Sequence, residues 1–272
     1  MPILASDRAP LPVAALVAAA LLWPGGPAEA DGAVVGIQGR DDRTPVLTAD
    51  TAESAPYPWP WRAIGRLDWG GAALCTGALI APDLVLTARH CMASRGAPIP
   101  EASGLTFAAG YRFGVAETTT AGAEILAPPA ESQTQDFAVV RLATGLNIPP
   151  IPLASDDRLS LILAAPSHVV LPSYSRDRPD VLSVHDRCIL DGQFGQPFWY
   201  HTCDGPSGAS GAPILVGMDT DPSGARIAGV LIGYTTAGPP PHGVMIPAPV
   251  IRAFLRAQGL AIADAPAPDG RP

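Results

Sequence analysis

Apolar residues fall along this chain in short runs separated by turn residues, and most runs are too short for helices. Trp61 to Asp68 alternates apolar and polar side chains. Ala73 to Ile80 is small and apolar, and Leu84 to Ala88 follows after one turn. Leu105 to Phe113, Glu117 to Ile125 and Phe137 to Leu142 continue the series, which Pro149 to Pro152 interrupts. Ser167 to Leu171, Val181 to Leu190, Trp199 to Cys203, Ala212 to Val216, Ile227 to Tyr234 and Gly243 to Ile246 complete it. Short strands with turn signals between them predict an all-β barrel or sandwich. One helix is expected after Pro247 and Pro249, where Val250, Ile251, Phe254 and Leu255 form a stripe at helical spacing that ends near Gly259. The tail, residues 259–272, is rich in proline and alanine and reads as disordered.

The first residues break this pattern. Leu11 to Trp23 is an apolar run behind a short polar start containing Arg8, and Ala28-Glu29-Ala30 is a small-x-small site. Residues 1–30 therefore read as a signal peptide, cleaved to leave Asp31. The run is short for a bilayer span, so no stable membrane insertion is expected after cleavage. Residues 31–60 are polar and turn-rich and read as an extended arm. They carry the charged knot Arg40-Asp41-Asp42-Arg43 and end in Tyr57-Pro58-Trp59-Pro60, which proline keeps from being helical.

Composition narrows the choice of function. The 272 residues include 32 prolines and 28 glycines, which disfavour long helices. The net charge is −8 with no basic run, so no nucleic-acid partner is expected. An exported chain can keep disulfides, and there are four cysteines: Cys75, Cys91, Cys188 and Cys203. Three pairings are possible, of which Cys75–Cys91 with Cys188–Cys203 is the simplest. Zinc held by these cysteines and His90 is the rival, but the spacings lack any C-x-x-C pair, and no metal or cofactor is expected.

Candidate chemistry centres on Cys203-Asp204-Gly205-Pro206-Ser207-Gly208-Ala209-Ser210-Gly211-Ala212-Pro213. Alone, this is an ordinary glycine-rich turn before a strand. A serine in so tight a turn can also present its hydroxyl beside convergent backbone N–H groups, as a nucleophile beside an oxyanion hole does. Ser210 would need a base. Of His90, His168, His185, His201 and His242, only His90 sits at a strand end beside a cysteine that can anchor it. An imidazole base needs an orienting acid. Asp136, which opens the apolar run Phe137-Ala138-Val139-Val140, must find a partner or carry a desolvation cost.

Together these pieces resemble the trypsin/chymotrypsin-like serine proteases. Thr87-Ala88-Arg89-His90-Cys91, Asp136-Phe137-Ala138-Val139-Val140 and Gly208-Ala209-Ser210-Gly211-Ala212-Pro213 look like that family's three catalytic blocks, in its order. Cys75-Thr76-Gly77-Ala78-Leu79-Ile80 looks like the strand whose cysteine pairs with the one after the histidine, which supports Cys75–Cys91. Arg40-Asp41-Asp42-Arg43 and Trp61-Arg62-Ala63-Ile64-Gly65-Arg66-Leu67 resemble the bacterial glutamyl-endopeptidase branch. The resemblance implies two packed six-stranded antiparallel β-barrels with a C-terminal helix, residues 61–144 and 148–258, and an active site in the cleft between them. Ser210 would be the nucleophile, His90 the acid/base, Asp136 the orienting carboxylate, and the N–H groups of Gly208 and Ser210 the oxyanion hole.

The implied protein is a secreted or periplasmic, monomeric endopeptidase acting on proteins or peptides. The alternatives are a catalytically silent relative that binds peptides, and an esterase using the same serine. Three departures from the family mark the chain. Ala209 stands where trypsins carry an aspartate, and Arg89 stands where a small residue is usual beside the histidine. Asp204 holds the position of the acid that binds Arg or Lys in trypsins, whereas Leu231 occupies the place of the pocket histidine of the glutamyl branch. Asp204, Leu231 and Ile232 are the candidate pocket residues.

Overall fold

A computed structural model describes residues 34–46, 56–70, 73–94, 96–129, 132, 134–164, 167–193, 197–218, 221–235, 242–260 and 262. The expected signal peptide, part of the arm and most of the tail lie outside these residues.

The first barrel is built from β2 (Ile64–Trp69), β3 (Ala73–Ala81), β4 (Leu84–Thr87), β5 (Leu105–Ala109), β6 (Thr118–Leu126) and β7 (Ala138–Leu142). It closes in the order β2-β3-β4-β7-β6-β5, with every neighbouring pair antiparallel. Closure removes the exposed edges that an open sheet would leave. Ile64, Leu79, Val85, Phe107 and Val140 are fully buried in its core. Gly65 is required there because a Cβ would lie 2.4 Å from the Phe107 ring.

The second barrel comprises β8 (Ser167–Ser175), β9 (Arg178–Gln193), β10 (Trp199–His201), β11 (Pro213–Val216), β12 (Arg226–Tyr234) and β13 (Gly243–Pro247). The order β8-β9-β10-β13-β12-β11 closes where Leu215 of β11 pairs with Val170 of β8. The long β9 also accepts β1 (Thr44–Pro45), the arm's own short strand, opposite Val184 and Ser183. The described residues are thus two closed six-stranded antiparallel β-barrels with a C-terminal helix.

That helix, α2 (Ala248–Ala257), buries Ile251 and Leu255. Its Phe254 ring meets Phe137 of the first barrel edge-on at 5.2 Å, so the helix packs beside the residue that follows Asp136. A second helix, α1 (Asp156–Leu163), departs from the expectation of a single one. Its start is explained by Ser155, whose hydroxyl accepts from the Arg158 N–H, and by Asp156 and Asp157 in the first turn. Two strand starts also differ from the pattern. Trp61–Ala63 is a 3-10 turn before β2, and β9 begins three residues earlier than the apolar run suggests.

The barrels are stitched by polar contacts. The Thr76 hydroxyl of β3 lies 3.2 Å from the carbonyl oxygens of both Tyr174 and Gly208, between which its one proton is shared, and accepts from the Tyr174 N–H at 3.0 Å. Phe113 N–H donates to the Asp180 carbonyl at 2.7 Å, and Ile151 N–H to that of Leu79 at 2.8 Å.

Candidate active site

Strand register brings His90 and Asp136 together. In the β4–β7 ladder Thr87 lies opposite Ala138, so residues just past the end of β4 face those just before the start of β7. Arg89 N–H donates to the Asp136 carbonyl, and His90 N–H donates to Asp136 Oδ1 at 2.9 Å. Asp136 Oδ2 is 2.9 Å from His90 Nδ1. A carboxylate at Nδ1 selects the tautomer with its proton there and leaves the Nε2 lone pair as the basic site.

Ser210 reaches the same place from the second barrel. Thr76 N–H donates to the Ser210 carbonyl at 2.9 Å, and Cys91 Sγ lies 3.8 Å from that oxygen. Cys91 is bonded to Cys75 on β3, and the second disulfide joins Cys188 to Cys203. The cysteine following His90 therefore touches the backbone of Ser210. Gly211, at φ +82°, packs so closely that a Cβ would be 2.2 Å from Thr87 Oγ1 and 2.3 Å from the Thr76 carbonyl. No hydrogen bond joins Ser210 Oγ to His90 Nε2 among the described residues. Unliganded sites of this kind often hold such contacts long until substrate arrives.

The serine loop leaves two donors unused. Among the described residues nothing accepts from the N–H of Gly208 or of Ser210. The Ser207 carbonyl accepts from Arg176 N–H at 2.8 Å. Because the peptide is planar and trans, this directs the Gly208 N–H to the opposite side. Gly208 is at φ +100°, and a Cβ there would lie 2.8 Å from Ser175 Cα.

The candidate pocket residues lie behind this loop. Asp204 is buried, and its carboxylate is engaged by the arm, accepting from Gln38 N–H (2.8 Å) and Asp42 N–H (3.0 Å). His185 Nδ1 is 2.9 Å from Asp204 N and 3.2 Å from its Oδ2. Burial pushes the Asp204 carboxyl up, but the His185 ring and the Asp42 and Gln38 N–H groups outweigh it and hold the group below its ordinary value. Leu231 is buried and its backbone pairs with Ala212 and Gly211. Its side chain and those of Leu171 and Tyr234 would each meet a Cβ on Gly205 at 2.9 Å. Ile232 is half-buried on the same strand, β12. Arg89 turns inward and donates through Nη2 to the Ala97 carbonyl at 3.1 Å.

Four residues here escaped sequence reasoning. Thr76 links the barrels at the serine loop, and its place next to Cys75 is its only signal in the sequence. His201 and His185 lie behind the loop, and Arg43 anchors the arm. His201 is fully buried, with Nδ1 accepting from Cys203 N–H at 3.1 Å. Burial first, and then the positive fields of His185 and His242, push its pKa down to about 3, so it is neutral at physiological pH.

Comparison with known proteins agrees with this architecture. The Trypsin family model matches residues 49–179, just under half the chain, a span that includes His90 and Asp136. The chain is 38% identical to human (Homo sapiens) Serine protease 56 over 91 residues, which is 33% of this chain and 14% of that protein. It is 43% identical to Chymotrypsin-like elastase family member 3B of Macaca mulatta over 44 residues, 15% of this chain and 17% of that one. These matches span less than a fifth of each relative's length. A solved structure, "Structure of Glu endopeptidase in complex with MPD", superposes with a TM-score of 0.61 over 82% of this chain and 99% of that one, at 22% identity. The chain is thus similar to trypsin-like serine proteases over residues 49–179 and resembles a glutamyl endopeptidase in its fold.

Proposed function

We propose that this protein is an exported serine endopeptidase with His90, Asp136 and Ser210 as its triad. The observation that carries the reading is the pair of hydrogen bonds that the Asp136 carboxylate accepts from His90, from Nδ1 and from the backbone N–H, beside a serine loop that offers two unused N–H donors. His90 Nε2 takes the proton of Ser210 Oγ as that oxygen attacks the substrate carbonyl carbon. The resulting oxyanion is received by the N–H groups of Gly208 and Ser210. His90 then gives the proton to the departing amine, leaving an acyl-enzyme on Ser210. Water, deprotonated by the same imidazole, attacks that ester and releases the acid. Asp136 stabilises the imidazolium in both halves, and the chemistry needs no metal or cofactor.

The apolar segment before Ala30 and the two disulfides support export. Among the described residues no helix is long and apolar enough to cross a membrane. Asp204 is buried and already engaged by Gln38, Asp42 and His185, which argues against an Arg or Lys preference set by this carboxylate.

The test is digestion of a random peptide library by residues 31–272, secreted into an oxidising compartment, with products mapped by mass spectrometry. Cleavage of internal bonds that Ser210→Ala abolishes supports the reading. Ester turnover without any peptide cleavage would assign an esterase instead, and binding without turnover a silent relative.

A further inference from the structure

The serine loop carries no charged side chain from Gly205 to Ala212, so whatever fixes its backbone must come from outside it. The described arm, residues 34–46, holds it from two sides. On one side Gly205 N–H donates to the Gly36 carbonyl at 2.8 Å, and the backbone of Gln38 and Asp42 binds the Asp204 carboxylate. A Cβ on Gly36 would be 2.8 Å from the Gly205 carbonyl oxygen and from Pro206 Cα, so arm and loop are in direct backbone contact.

The other side runs through Arg43. Its side chain is only 1% exposed, yet it is fully paired. Nε and Nη2 fork onto Asp41 at 2.9 Å each, Nη1 donates to Ser175 Oγ at 2.9 Å, and Nη2 reaches Asp177 Oδ2 at 2.6 Å. Arg178 closes the cluster, donating to Asp41 Oδ2 (2.7 Å) and to the Arg43 carbonyl (2.8 Å). Ser175, Asp177 and Arg178 flank the β8–β9 turn, and the residue between them, Arg176, donates its N–H to the Ser207 carbonyl. Contact is therefore continuous from the Arg43 guanidinium, through the turn, to the peptide whose other end is the Gly208 N–H. The absence of a side chain at Gly208 lets the turn approach: a Cβ there would be 2.9 Å from Arg176 N. A guanidinium suits this task because its planar fork fixes two carboxylates and a hydroxyl in one geometry, which a lysine ammonium does not.

We propose that Arg43 is a positioning residue for the oxyanion hole: by clamping the β8–β9 turn to the arm, it holds the Ser207–Gly208 peptide so that the Gly208 N–H faces the reacting carbonyl. This rests on the protease reading above. It makes the arm a built-in determinant of activity, so removal of residues 34–46 would switch the site off without touching the triad.

The cluster also has a defined pH range. Desolvation raises the Asp177 carboxyl, but its bonds to Arg43 and Ser175 prevail and bring it down to about 2. Asp41, bonded to Arg43 and facing Arg178, is lowered as well. The clamp is thus complete above the ordinary carboxylate range and is lost only as pH falls toward 2.

The test compares wild type, Arg43→Ala, Arg43→Lys and Asp177→Asn, with Arg141→Ala, a first-barrel ion-pair residue, as control. The readouts are kcat and KM on a peptide amide, affinity for a tripeptide aldehyde whose hemiacetal oxygen occupies the oxyanion site, and amide exchange of the 204–211 peptide. For Arg43→Ala we expect kcat to fall about 10- to 100-fold, within the range for losing one oxyanion donor. KM should change less than about threefold, and aldehyde affinity should fall in parallel with kcat. Exchange should quicken in 204–211 but not in 136–142. Added guanidinium ion should restore part of kcat to Arg43→Ala, and Arg43→Lys should remain impaired.

Folded Arg43→Ala with kcat and aldehyde affinity within twofold of wild type would overturn the proposal, as would a change confined to KM. If Arg43→Ala does not fold, Asp177→Asn decides, because its side chain is nearly half exposed: unchanged kcat and exchange there would overturn the proposal. Wild type that neither turns over substrate nor binds the aldehyde would sink the protease reading. The exchange comparison would then still show whether Arg43 orders the loop.

Discussion

Acidification from pH 7 to pH 5 should weaken this fold mainly through one side chain, His201. Its ring is fully buried behind the serine loop, and a Cβ on the neighbouring Gly243 would lie 2.1 Å from the ring. Nδ1 already accepts from Cys203 N–H, so a second proton would turn an acceptor into a donor facing a donor. Among the described residues Nε2 has no partner, and the charges that act on the ring are those of His185 and His242. With a folded pKa of about 3 against 6.5 for an unperturbed imidazole, the unfolded chain binds a proton that the folded one refuses across that interval. Stability is therefore full above pH 6.5 and falls as pH drops toward 3. At about 1.4 kcal/mol per pH unit the total is about 5 kcal/mol, of which about 2 kcal/mol is lost by pH 5. For a domain of this size that lowers Tm by about 4–8 °C. Urea unfolding of wild type and His201→Asn, with disulfides intact, measures it, since an asparagine Oδ1 can replace Nδ1 as acceptor for Cys203. The variant should start less stable and lose about 2 kcal/mol less between pH 7 and 5. Parallel pH profiles would refute the assignment of this acid sensitivity to His201.

Other substitutions probe other links. Asp136→Asn should leave the fold intact and cut kcat about 10⁴-fold, because the amide favours the wrong imidazole tautomer; steady-state kinetics on a peptide amide checks it. Replacing Cys75 and Cys91 together by serine should cost about 3 kcal/mol by the loop-entropy model, read by urea unfolding, with activity lost at lower denaturant than unfolding. Gly211→Ala should fail to close the serine loop, since its Cβ would enter Thr87 and the Thr76 carbonyl at a strained φ; slowed labelling at Ser210 with β-rich circular dichroism preserved would register it. Phe254→Ala should cost about 3 kcal/mol of stability, as the ring packs edge-on against Phe137 beside Asp136.

What could be read in the sequence, and what could not, divides by range. The strand series, the α2 stripe and the cysteine spacing are local signals, and the structure contains all three. His90, Asp136 and Ser210 stand out as candidates because each sits in a short block with its own context. The ladder between β4 and β7 explains why two blocks 46 residues apart meet. Asp204 reads as a pocket acid because its position follows from counting back from Ser210. Its actual partners, Gln38 and Asp42, lie more than 160 residues earlier, and no local pattern announces them. Arg43 was visible only as part of a charged knot, which a solvated surface would also produce. Its burial depends on the β8–β9 turn more than 130 residues away. Helix α1 is not evident in the sequence although Ser155-Asp156-Asp157 is a good start signal, because its apolar stripe is weak and Leu161 is exposed.

The most direct measurement is covalent labelling. Residues 31–272, folded with both disulfides formed, are treated with an organophosphorus serine reagent and the adduct is mapped by mass spectrometry, with Ser210→Ala and His90→Ala alongside. Rapid, stoichiometric modification of Ser210 that His90→Ala slows by several orders of magnitude is expected from a nucleophile activated by the Asp136–His90 pair. Folded protein that resists the reagent at Ser210, before and after trimming of the N-terminus to Val34, would contradict the triad and leave the cleft without its proposed chemistry.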